Sequence, residues 1–335
     1  LPIDGSAKYC ELVQKLLFGS DNKLIEKKEL VTVQTLGGTG ALKIGAEFLK
    51  KINPNTTIAI SSPSWENHRS IFESSGFKVT EYPYYDASLN KFKLTELLEK
   101  IQTLPKNSVI LLHACCHNPT GIDPKDSEWL EIINLIKSKE HIPFMDIAYQ
   151  GFDQDIENDS KIIKMFADVV TPTIIASSFS KNFSLYGERV GALTISTSSS
   201  QESEKVKSHI KNIIRSSYSN PPTYGQKLVT EVLSKNNLKN EWMNELKSMR
   251  NRIVSMRILL VKLLEDQVLK KDFSFINNQK GMFSFSGLSS TEVDKLRKDH
   301  GIYILSSGRL CIAAINEKNI NYVAESIGKV VNSHK

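Results

Sequence analysis

Four short apolar runs rich in β-branched residues constrain this chain more than any other feature. They are TTIAIS (56–61), SVILLHAC (108–115), IPFMDIAY (142–149) and TIIASSFS (173–180), each bounded by Pro, Asn or Gly. Runs of this length with no polar alternation fit strands covered on both faces. Helical patterns lie between them. Leu42, Gly45, Ala46 and Leu49 repeat at i, i+3, i+4 and i+7, and so do Trp129, Ile132, Ile133 and Ile136. Alternation of strand and helix predicts an α/β domain whose mostly parallel sheet lies between helices. Ligands of such sheets bind beyond the carboxyl ends of the strands, so chemistry-bearing residues should collect there.

The remainder of the chain predicts helices over 201–217 and 223–268. A strand–turn–strand follows in FSFINNQKGMFSFSGL (273–288), then a helix over 290–300, a strand pair over 302–314 and a final helix over 317–333. The change of texture places a domain boundary near residue 248. It separates a large domain, 1–248, from a smaller α/β C-terminal domain, 249–335. With 335 residues the chain can bury a large core. Its 43 basic and 37 acidic residues are dispersed, which argues against a nucleic-acid surface. No apolar run approaches the roughly 18 residues of a membrane span, and no signal peptide is visible. Cys10, Cys115, Cys116 and Cys311 have neither metal-ligand nor disulfide-framework spacing, so reduced, mostly buried thiols and a cytoplasmic setting are expected.

Residues suited to chemistry follow the strands in order. Gly37-Gly38-Thr39-Gly40 opens an amphipathic helix, where free N–H groups and a close backbone could receive an anion. The same pattern also makes ordinary turns and N-caps. Trp65 and His68 sit in SSPSWENHRSIF (61–72), where the indole could stack on a planar ring or simply cap the core edge. HACCHNPTGIDP (113–124) combines His113, His117 and Asn118 with a turn tetrapeptide. No carboxylate or thiol lies at a customary spacing around these histidines, so no metal is expected. Asp146 and Tyr149 end the next run, and a buried carboxylate there needs a partner. SSFSKNFSLYGERVGAL (177–193) then supplies Ser178, Ser180, Lys181 and Arg189. A half-buried lysine has its pKa lowered and becomes a usable amine, able to condense with an aldehyde. A phosphate nest, a stacking aromatic, a buried carboxylate, an amine and an arginine together meet the needs of pyridoxal phosphate.

With GGTGAL, PSWENH, HACCHNPTG, DIAYQGF, SFSKNFSLYGERVGAL, YSNPP, GMFSFSGL and SSGRL in order, the sequence resembles the fold-type-I pyridoxal-phosphate-dependent transferases, and among them the aspartate aminotransferases. The resemblance implies a ping-pong exchange between L-aspartate and 2-oxoglutarate, giving oxaloacetate and L-glutamate. It implies Lys181 as Schiff-base lysine and proton shuttle, and Asp146 as partner of the pyridine nitrogen. Tyr149 and Asn118 fall to the phenolic oxygen, Trp65 to the ring face, and Gly38, Thr39, Ser178 and Arg189 to the phosphate. His68 and His113 would support Asp146 and Trp65. Arg309 would bind the substrate α-carboxylate, and Arg215 the side-chain carboxylate across a homodimer interface, with Trp65 and Asn118 also lining the substrate. A broader-specificity or aromatic aminotransferase is the alternative within the class. The chain starts at Leu1, one residue short of the tyrosine expected before LPIDG. An N-terminally truncated form with reduced or no activity is therefore a further expectation, beside a non-catalytic binding subunit. CIAAIN after Arg309 departs from the usual Asn- and Gly-containing segment, and Cys116 reads as a small buried hydrophobe.

Overall fold

The computed structural model describes residues 1–268 and 271–333. They divide into two compact units. The larger comprises residues 1–84, 93–115 and 124–246, and the smaller 85–92, 116–123 and 247 onward.

The larger unit is built on a seven-stranded sheet. Its strands in chain order are β1 (Leu30–Leu36), β2 (Thr57–Ser62), β3 (Lys78–Pro83), β4 (Val109–His113), β5 (Ile142–Ile147), β6 (Ile174–Ser178) and β7 (Val190–Ser196). They lie in the spatial order β1-β7-β6-β5-β4-β2-β3. Pairings from β6 through to β3 are parallel, while β7 runs antiparallel to both β6 and β1. The four apolar runs of the sequence are thus β2, β4, β5 and β6, the inner part of the sheet. Four of the five residues of β4 and all of β6 are apolar or small, and every residue of both is buried, as two-sided coverage requires.

Helix α1 (Gly37–Ile52) runs from the end of β1 across one face. Ile44, Leu49, Phe144, Leu193 and Ile195 form part of one core cluster beneath it. Gly45 is what allows the helix so close. A Cβ there would lie 2.6 Å from Phe144 Cζ and 2.9 Å from Cε1, well inside contact distance.

Helix α2 (Ser200–Ser217) agrees with the sequence pattern, but the long helix expected over 223–268 is two. α3 covers Tyr224–Ser234 and α4 Asn236–Gln267. Lys235 between them is extended, with φ −112° and ψ 119°, in a Ser-Lys-Asn-Asn stretch of modest helix formers. The unit boundary at Leu246 falls inside α4. Among the described residues no helix is long and apolar enough to cross a membrane.

The smaller unit has a two-stranded antiparallel pair, β8 (Phe283–Phe285) and β9 (Arg309–Cys311), in which Phe285 faces Arg309. Two expectations are corrected here. The first strand expected in 273–288 is instead a 3₁₀ turn, Ser274–Asn278, because Asp272 accepts from the Ser274 amide and hydroxyl and curls the chain. The strand pair expected over 302–314 reduces to β9, since Gly308, at φ +81°, closes a turn onto Leu305. Helices α5 (Ser290–His300) and α6 (Ile320–Asn332) complete the unit.

Gly45→Ala should lower stability by about 1–3 kcal/mol through overpacking against Phe144. Urea unfolding followed by circular dichroism measures this, and pairing with Phe144→Leu should recover part of the loss.

Candidate active site

The centre of the larger unit is a carboxylate with almost no access to water. Asp146 is the penultimate residue of β5 and 6% exposed, in register with His113, the last residue of β4. Register partners in a parallel pair point to the same face, so the two side chains emerge together. His68, from the helix Glu66–Ser74, reaches the same place, its Nε2 2.9 Å from Asp146 Oδ2. Its Nδ1 lies 2.9 Å from Ser64 Oγ. An ionised carboxylate only accepts, so a proton on His68 Nε2 donates to Asp146, while Nδ1 faces the Ser64 hydroxyl. The His113 and His68 rings are 5.0 Å apart, and Trp65 stands edge-on to His68 at 5.2 Å.

The sequence spacing showed no carboxylate near His113, yet the fold brings the ligand-type atoms of His68, His113 and Asp146 within 4.8 Å of one another. Both His68 nitrogens already have protein partners, which leaves no lone pair for a cation. The trio is a hydrogen-bonded support for a charge. Burial pushes the Asp146 carboxyl up. The His68 hydrogen bond and the nearby Lys181 charge outweigh burial and hold it below the usual range. Burial pushes His113 down to about 3, helped by His68 and opposed by Asp146, so this imidazole is neutral at ordinary pH.

Lys181 follows β6 by three residues and is half-buried. Its ammonium lies 5.1 Å from the Tyr149 ring centre and 5.4 Å from that of Tyr186. Burial lowers its pKa, and the Arg189 charge acts the same way against the pull of Asp146. The amine is therefore more readily neutral, hence more nucleophilic, than a surface lysine.

Close by is a cradle for an anion. Gly37 starts α1 at φ +68° and donates its N–H to Arg189 O, leaving the N–H groups of Gly38 and Thr39 without partners inside the helix. The Arg189 guanidinium lies over Gly37, where a Cβ would come within 2.6 Å of Nη2. It is held there by the carbonyls of Tyr186 at 2.9 Å and Leu36 at 3.4 Å. Ser178 Oγ donates to Ser180 Oγ at 3.1 Å, and its Cβ would lie 3.1 Å from a Cβ on Gly38. Thr39, Gly40 and Arg189 line a cavity of about 560 Å³ together with Lys43, Ser217 and Tyr218. Helix dipole, guanidinium and hydroxyls all favour a multiply charged oxyanion.

Two predicted residues meet in the smaller unit. Arg309 Nη1 donates to Asn118 Oδ1 at 2.8 Å, and its guanidinium lies 4.4 Å above the Phe283 ring. Asn118 belongs to a loop that Asp123 closes by accepting from the amides of Cys116 and His117. Cys116 is buried, as is its neighbour Cys115, and none of the four cysteines is held in a disulfide. Arg215 lies exposed on the last turn of α2.

Residues 1–327 match the family profile described as Aminotransferase class I and II. This chain belongs to that family. It is 49% identical over 331 residues to the aspartate aminotransferase of Pseudomonas aeruginosa, covering 99% of this chain and 83% of the relative. With the aromatic-amino-acid aminotransferase of Escherichia coli it shares 43% identity at the same coverage. The crystal structure of an aromatic-amino-acid aminotransferase from Burkholderia pseudomallei, covalently bound to pyridoxal phosphate, superposes with a TM-score of 0.97 at 50% identity. That match covers 99% of this chain and 83% of the other.

For this class I and II aminotransferase chain, reading the sequence missed Ser64 and Tyr186. Ser64 stands four residues before His68, just ahead of the helix Glu66–Ser74, and a hydroxyl so close in sequence was the available signal. Tyr186 packs on Lys181 through a turn whose course no local pattern specifies.

His113 makes acid sensitivity testable. Its folded pKa is depressed below the ordinary 6.5, so the unfolded chain binds more protons between about pH 6.5 and 3. The stability from this group is complete above 6.5 and is lost as pH falls, by at most about 1.4 kcal/mol per pH unit. Unfolding free energies at pH 7 and pH 5 should therefore differ less in His113→Gln than in the wild type.

Proposed function

We propose that the chain is a pyridoxal-phosphate-dependent aminotransferase, exchanging the amino group of L-aspartate with 2-oxoglutarate to give oxaloacetate and L-glutamate. One observation carries this reading: a buried carboxylate held ionised by His68 shares the carboxyl end of the sheet with a pKa-lowered amine and an anion cradle. The residues fit that cofactor. Glycines at 37 and 38 keep the backbone close to the Arg189 guanidinium and the Ser178 side chain, and the donors around them suit a phosphate.

When bound, the cofactor supplies an electron sink conjugated to the substrate α-carbon. Gly38, Thr39, Ser178 and Arg189 would hold its phosphate, and Trp65 would cover its ring. Asp146 keeps a negative charge where a ring nitrogen would need a proton held, and His68 and His113 keep that carboxylate fixed and ionised. Tyr149 and Asn118 would donate hydrogen bonds to the phenolic oxygen. Lys181 Nζ, its pKa lowered by burial, would take the substrate Cα proton as general base and shuttle it toward the cofactor as general acid. Arg309, braced by Asn118 and Phe283, would pair with the substrate α-carboxylate through its planar fork.

The same reading divides the chain into a cofactor-binding part, 1–248, and a small part, 249–335. It assigns Arg215 to the side-chain carboxylate in the active site of a second copy, which makes the enzyme a homodimer with shared sites. Four cysteines outside any disulfide suit the cytoplasm. A broader or aromatic specificity is the alternative: the 43% and 50% identities to aromatic-amino-acid aminotransferases are consistent with it, as is the 49% identity to an aspartate aminotransferase with aspartate.

Two measurements test the proposal. Pyridoxal phosphate should give the protein a visible absorption band that aspartate bleaches, and Lys181→Ala should abolish turnover; wild-type turnover in that variant overturns the reading. Arg215→Ala should lower kcat/KM for aspartate roughly 30- to 1,000-fold, the equivalent of about 2–4 kcal/mol for a lost charge pair. Phenylalanine turnover should change far less, and equal losses would remove Arg215 from substrate recognition.

A further inference from the structure

Asp159 is a buried carboxylate with no part in the chemistry above. It is 4% exposed, and its oxygens accept three backbone N–H groups. Oδ2 takes Gly151 at 2.7 Å and Asp153 at 3.0 Å, and Oδ1 takes Gln154 at 2.9 Å. Burial pushes its carboxyl up to about 6 and the Asp153 charge adds to this, while the three N–H donors hold it down. These contacts close the segment that begins at Tyr149 into a tight loop. Within it, Gln150 is 3% exposed and its Nε2 donates to Ile156 O at 2.8 Å and to Leu16 O at 3.1 Å.

The loop continues into the lysine turn. The main-chain oxygen of Gln150 accepts from Asn182 Nδ2 at 3.3 Å, and Asn182 O accepts from Trp242 Nε1 at 2.7 Å. Asn182 is 1% exposed and is the residue after Lys181. Two groups that face each other, the Tyr149 ring and the Lys181 ammonium, are thus fixed from behind by one hydrogen-bonded chain.

The geometry points to Asp159 as a positioning residue: its carboxylate clamps the 149–154 loop, and through Gln150 and Asn182 sets where the Lys181 amine sits against Tyr149. This rests on the proposed role of Lys181 as the reacting amine. The clamp needs a carboxylate, because both oxygens must accept. An amide at this position would turn an NH₂ toward a backbone N–H on one side, so Asp159→Asn breaks part of the clamp with almost no change of volume.

The test starts with the cofactor-free protein. Hydrogen exchange at the amides of Gly151, Asp153 and Gln154 should accelerate about 10-fold or more in Asp159→Asn, as expected when a hydrogen bond to a charged group is lost. In the same protein, the pH midpoint for acetylation of Lys181 by acetic anhydride, read by mass spectrometry, should move up by about 0.5 unit or more as the amine relaxes toward water. Asn182→Ala should produce the same midpoint shift with the clamp intact, which keeps the test available if Asp159→Asn folds poorly. Asp155→Asn is the control, because the Asp155 carboxylate caps Glu157 and Asn158 in the same loop; it should leave the Lys181 midpoint unchanged. In the pyridoxal-phosphate-loaded enzyme, Asp159→Asn should lower kcat several-fold with little change in KM for aspartate. Unchanged amide exchange overturns the clamp. Faster exchange with an unmoved Lys181 midpoint overturns the positioning role and leaves Asp159 purely structural. A shifted midpoint in a protein without transaminase activity would uphold the positioning and reject the function proposed for the lysine.

Discussion

The interior charge on Asp146 is the constraint around which the larger unit is arranged. A carboxylate taken out of water loses its hydration and normally escapes by binding a proton. Here it does not, because His68 donates to it at 2.9 Å and the Lys181 charge stands near it. That donation works only while His68 is itself oriented, and Ser64 fixes the ring from the other side. Strand register delivers His113 beside it as a neutral imidazole, which fills the space without adding a competing charge.

Once the negative charge is fixed, the other parts gain their meaning from distance and sign. Lys181 is pulled toward its charged form by Asp146 and pushed toward the neutral form by burial and Arg189, and the push wins. Arg189 in turn is held over Gly37 by two backbone carbonyls. A cation, a helix N-terminus and hydroxyls thus stand at the carboxyl end of the same sheet as the buried anion. Such a polarity suits a ligand with a phosphate at one end and a basic nitrogen at the other.

Much of this was legible beforehand. The four inner strands, the helix start at Gly37, and the positions of Asp146 and Lys181 at strand ends could be read because period and composition are local properties. The break at Lys235 and the turns at Asp272 and Gly308 were not read. Each depends on one residue's backbone preference within a stretch that otherwise fits the longer pattern. Ser64, Tyr186 and Asp159 were also invisible as functional groups, because serine, tyrosine and aspartate in polar segments are common and their partners lie elsewhere.

The sequence by itself determined which residue types stand at the carboxyl ends of the strands, and so the kind of chemistry available. Tertiary structure alone decided which of them touch. His68 reaches Asp146 across 78 residues of chain, and Arg309 reaches Asn118 across 191. Covalent neighbourhood carries no information about such pairs. Strand register and helix packing do, and these follow from the burial of the whole core rather than from any one motif.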